Sequence, residues 1–136
     1  PVVHIQHDAG PGSPYDPNAE CGAIADKVAP TAGEVVVVKH YPNSFVGTDL
    51  DTCLKAAGVK NLVVAGFMTH MCINSTTRGA FNLGYAVTVP AAATATRALA
   101  APDGSVVEAA ALQVAALTAL ADLFAVVVAD AAAIPD

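Results

Sequence analysis

A thiol, an amine and four imidazoles could do chemistry in this chain, and their spacing first becomes informative over Leu62–Arg78. Leu62-Val63-Val64-Ala65 is an uninterrupted apolar run of β-friendly type, which predicts a strand buried on both faces, and Gly66 ends it. After a tight loop, Cys72 opens a segment in which Ile73, Thr76, Thr77, Ala80, Phe81 and Leu83 recur near helical period, with Gly84 as the C′ residue. The thiol is thereby expected at a helix N-terminus. Unpaired backbone N–H groups and the positive end of the helix dipole favour the thiolate there, and the thiolate is the nucleophilic form. The bland alternative is a small apolar residue packed under the loop, because free cysteine is among the most buried residue types.

The neighbours decide between the two. Glu34-Val35-Val36-Val37-Val38-Lys39 reads as a second doubly buried strand that ends in a charge, followed by a loop over His40–Phe45. Alone, such a lysine snorkels to solvent. Thr48 is the expected N-cap of the next helix, with Asp51 at N3 and an apolar stripe of Leu50, Cys53, Leu54 and Ala57 before Gly58. Glu34–Ala65 then forms one strand–helix–strand unit with parallel strands. Both strand C-termini fall on one sheet edge, where ligands bind in open α/β folds, so Lys39 and Cys72 meet at one rim. An ammonium beside the thiol is a second force toward the thiolate.

The remaining elements follow the same alternation. Val2–Gln6 reads as a strand, and His7–Asn18 is a turn-rich loop of a length that suggests function. His4 and His7 are separated by an odd number of residues on a strand, which points them to opposite faces and argues against a shared metal. Cys21–Val28 is a short helical turn, Tyr85–Val89 a strand broken by Pro90, and Ala91–Thr96 a small-residue loop. Val106–Asp122 is a long helix, Leu123–Val128 the last strand, and the tail through Ala131–Ala133 and Pro135 frays. Strands alternating with helices predict a single α/β domain over residues 1–136.

Composition narrows the partners. The chain is 54% hydrophobic and 13% charged with a net charge of −6, and its six Lys and Arg residues form no basic cluster. This disfavours nucleic acid and anionic membrane surfaces and favours a small-molecule partner. Gln113, Thr118 and Asp122 interrupt the alanine-rich segment, which leaves no membrane-spanning run. The three cysteines, Cys21, Cys53 and Cys72, lack CxxC spacing, which fits neither a disulfide framework nor a zinc ribbon and agrees with a cytoplasmic location.

With these residues in place, the chain resembles the isochorismatase-like cysteine hydrolases from about Val2 to Val128. The resemblance is carried by Lys39 before Pro42-Asn43-Ser44-Phe45, Gly47-Thr48-Asp49-Leu50, the Gly66–Cys72 turn with Thr69, Thr76-Thr77-Arg78 with Ala80, and Gly84-Tyr85. It implies a three-layer α-β-α fold with a mostly parallel sheet of six strands, five of them visible here. It further implies Cys72 as nucleophile, Lys39 as the triad lysine, a cis peptide bond between Phe67 and Met68, and an oxyanion hole from the backbone N–H groups of Met68 and Cys72.

The activity implied is metal-free and cofactor-free hydrolysis of a small amide or related C–N bond through a thioester. His70, Phe45, Tyr41 and the loop from His7 to Tyr15 are the pocket candidates. The family's triad aspartate lies on a strand upstream of the one that Val2–Gln6 resembles, and the role does not pass to Asp8. The native polypeptide is therefore expected to carry a further N-terminal strand with that aspartate, and to assemble as a homo-oligomer, a dimer or tetramer. Two rival readings are a zinc-dependent nicotinamidase-like amidase, whose Asp-x-His motif is not matched here, and a non-catalytic small-molecule binding protein on the same fold.

Overall fold

The computed structural model describes residues 1–134, and Pro135 of the expected tail lies outside them. Five strands carry the fold: β1 (Val3–His7), β2 (Val35–Lys39), β3 (Asn61–Val63), β5 (Ala86–Pro90) and β9 (Val126–Val128). Between them come α1 (Leu50–Ala56), α2 (Asn74–Asn82) and α3 (Ala109–Ala121). Two dipeptides, β4 (Gly66–Phe67) and β6 (Thr94–Ala95), pair in parallel, and β7 (Leu99–Ala100) with β8 (Val106–Val107) forms the one antiparallel pair among the described residues. The fold is α/β with mostly parallel pairing.

Among the described residues the five main strands fall into two hydrogen-bonded groups. β1 pairs with β2, while β3, β5 and β9 form a separate sheet in the order β3-β5-β9. Among the described residues β2 and β3, the ends of the strand–helix–strand unit, are not hydrogen-bonded neighbours. Double burial is corrected. In β2 only Val37 and Lys39 are buried while Val35, Val36 and Val38 are exposed, and in β3 Val63 is 53% exposed. The reason is one-sided packing: Val37, Leu50, Leu54, Ile73, Ala80, Tyr85, Val87, Val89 and Leu120 form one buried cluster, and the opposite face keeps Val63 and Val126 open.

Helix ends follow local chemistry. Gly84 takes φ +88° after α2, and the Tyr85 N–H reaches back to the Ala80 carbonyl at 3.0 Å, a Schellman-type stop that a side chain with Cβ would strain. The capping box expected for α1 does not form. The Thr48 hydroxyl donates to the Ser44 carbonyl, and the Asp51 carboxylate accepts from Lys55 and from the Tyr85 hydroxyl, which holds α1 to the residue that follows α2. Cys53, expected in the core, is half-buried beside the buried Leu50 and Leu54.

Candidate active site

The turn after β3 is where the sequence departs most from an ordinary helix start. Residues Thr69–Ile73 form a single wide helical turn that runs directly into α2. The Met68 carbonyl accepts from the N–H of Met71 at 3.0 Å and from that of Ile73 at 3.2 Å, passing over Cys72. Such i→i+5 turns recur at functional sites. Helical structure thus begins at Thr69, three residues before the position expected, and Cys72 lies within its first turn rather than opening it. The Phe67–Met68 peptide bond is cis.

Lys39 closes the arrangement. Its side chain is 3% exposed, and its Nζ donates to Cys72 Sγ at 3.3 Å, to His7 Nδ1 at 2.9 Å and to the Tyr41 carbonyl at 3.0 Å. Three acceptors around one nitrogen match the three N–H bonds of an ammonium. His7 and Lys39 are register partners at the ends of parallel β1 and β2, and so share a face. His4, three residues back, turns the other way and donates to the Glu34 carboxylate at 2.9 Å. The opposed directions expected for His4 and His7 are those found.

The remaining candidates divide. His7 meets Lys39 directly, and Tyr15 packs edge-on against its ring at 5.3 Å. Tyr41 contributes its carbonyl, while its side chain is 58% exposed. Phe45 is not brought to the thiol: it stacks on Tyr85 at 5.9 Å and packs against the core. His70 bonds through Nδ1 to the Thr96 hydroxyl, tying the Thr69–Ile73 turn to the segment after β5. The Asp8 carboxylate accepts from the Gly10 N–H and lies 3.9 Å from His40 Nδ1, and among the described residues it makes no hydrogen bond to Lys39 or Cys72.

Sequence reasoning missed what braces the site. The buried Ser44 places its N–H and Oγ on the Thr76 hydroxyl at 3.0 and 2.9 Å, which fixes the loop after β2 on α2. Gly79 admits the Asn43 side chain so closely that an added Cβ would lie 2.5 Å from it. The available signals were the polar Thr76 on the buried stripe and a mid-helix glycine, which costs about 1 kcal/mol relative to alanine and so implies a close approach.

The isochorismatase domain family model matches residues 1–132. The chain belongs to the isochorismatase family. It is 45% identical over 105 residues to the uncharacterized isochorismatase family protein YddQ of Bacillus subtilis, covering 76% of this chain and 58% of that protein. It is 40% identical over 72 residues to the ureidoacrylate amidohydrolase RutB of Stutzerimonas stutzeri, covering 53% of this chain and 29% of that one. Among solved structures, an isochorismatase from Pseudomonas putida superposes with TM-score 0.93 at 36% identity, over 98% of this chain and 69% of that chain. The isochorismatase family contains hydrolases, amidohydrolases among them. The chain spans well under two thirds of YddQ, at 58% of its length.

Proposed function

We propose that this isochorismatase-family chain is a cysteine hydrolase that cleaves a small amide or related C–N bond through a thioester on Cys72. The observation that carries this reading is the buried Lys39 ammonium 3.3 Å from Cys72 Sγ. The thiolate attacks the carbonyl carbon, the C–N bond breaks, and nitrogen leaves as an amine that has gained a proton. Water then adds to the acyl carbon, releasing a carboxylic acid and returning the thiolate. The N–H groups of Met68 and Cys72 are the donors assigned to the developing oxyanion. The substrate is a small molecule, and no metal or cofactor takes part in this reading.

The test is a screen of small amides with detection of ammonia or amine. Turnover that disappears in Cys72→Ala and survives chelator supports the reading. Turnover that Cys72→Ala retains overturns the nucleophile, and turnover lost to chelator and restored by zinc favours the metal-dependent amidase instead.

A further inference from the structure

We propose that His7 is a positioning residue for this site: as the neutral Nε2–H tautomer it accepts a Lys39 N–H and thereby aims the ammonium at Cys72. The inference rests on the cysteine-hydrolase reading and adds a residue to it. An ammonium has three N–H bonds and can rotate freely about its stem, so its direction is set by the acceptors around it. Here one proton goes to Cys72 Sγ, and the other two must be held for that aim to persist. The Tyr41 carbonyl holds one at 3.0 Å, and His7 Nδ1 holds the other at 2.9 Å. Because Nδ1 is the acceptor, the single proton of the neutral ring must sit on Nε2.

The backbone makes this placement rigid. His7 and Lys39 close the β1–β2 ladder in register, and the Asp8 N–H continues it to the Lys39 carbonyl at 2.8 Å. Tyr15, from the loop that follows β1, packs edge-on against the imidazole and limits its rotation.

The arrangement fails if the ring is charged. An imidazolium offers N–H in place of the Nδ1 lone pair and sets a second positive charge against the buried ammonium. The charged and titratable groups facing His7 are Lys39 from β2, His40 just after it, Asp8 beside it and the Tyr15 hydroxyl-bearing ring, with Cys72 behind Lys39. Burial, then Lys39 and His40, hold the His7 ring below its ordinary value of 6.5 against a smaller upward pull from Asp8. The neutral ring is thus the form kept near neutrality.

The experiment follows Cys72 alkylation by iodoacetamide from pH 5 to 8, read by peptide mass in the native protein, in His7→Asn and in His7→Leu. Asparagine keeps an acceptor oxygen near the Nδ1 position and does not titrate. Leucine removes the acceptor. The expected result is a roughly 10- to 100-fold slower reaction at pH 7 in His7→Leu, the span of a lost charge-assisted hydrogen bond. His7→Asn should restore most of that rate and fall less steeply than the native protein on the acid side. A His7→Leu rate and profile equal to the native ones overturn the positioning role alone. Should His7→Leu fail to fold, an Asn variant with the native acid limb overturns it equally. Native Cys72 that reacts no faster than Cys21 or Cys53 overturns the cysteine-hydrolase reading beneath it.

Discussion

A sulfur atom and an amine 3.3 Å apart define the centre of this molecule, and each is useless to the proposed reaction without the other. Cys72→Ala is expected to abolish turnover with an unchanged circular dichroism spectrum, since the smaller side chain fits the same turn. Lys39→Ala should lower kcat on the order of 10³-fold or more, as paired residues acting as a unit do. Retention of a tenth of native kcat in either variant would refute the pairing. A pH experiment tests the surrounding charges. The folded value of His7 lies below 6.5, so as pH falls the unfolded chain takes up its proton first, and stability that is full above 6.5 declines below it. Asp16, Glu34 and Asp51 are also lowered, the first by the Gly12 and Asn18 N–H groups, the second by the Thr31 N–H and His4, the third by Lys55 and Tyr85. Their contribution is present above the ordinary carboxylate range and lost as pH falls through their folded values. The melting temperature should therefore fall in two stages, one starting just under pH 6.5 and one below about pH 4, and His7→Asn should remove only the first. A single stage in the native protein would count against the His7 environment.

Among the elements, the loop after β2 depends on α2 more than on its own residues. Thr76→Val keeps the shape of the side chain but leaves the buried Ser44 N–H and Oγ without their acceptor, which should cost about 1–3 kcal/mol in urea unfolding. An unchanged denaturation midpoint would show that the loop holds itself. Strand and helix types were legible from periodicity: the all-valine run is a strand, the Cys72 segment is helical, and the Gly84 stop falls where its pattern places it. The juxtaposition of Lys39 and Cys72 was legible as well, from strand direction alone. What was not legible depends on backbone groups or on partners distant in sequence. A wide turn at Thr69–Ile73 has no side-chain period of its own, so its start was placed three residues late. The bond from Lys39 to His7 needs the β1–β2 register, which hydrophobic pattern does not fix when neighbours are uniformly valine. The stacking of Phe45 on Tyr85 likewise joins residues distant in sequence.

At the scale of the whole molecule, packing is one-sided, and no helix among the described residues is long and apolar enough to cross a membrane. Val63 and Val126, on the two strands that flank Thr88 of β5, are 53% and 57% exposed. We expect the native protein to form a homo-oligomer, and sedimentation at micromolar concentration checks it: a monomer would refute that expectation. Because β5, alone among the described strands, is paired on both sides, native-state hydrogen exchange should find its amides slower than those of β2, and equal protection would contradict this pairing. The two-residue ladder between β4 and β6, with the bond from His70 to Thr96 beside it, has a mechanical consequence. The segment after β5 is coupled to the Thr69–Ile73 turn like two links on one pin. Moving it away from Cys72 requires breaking that ladder or carrying the sulfur with it.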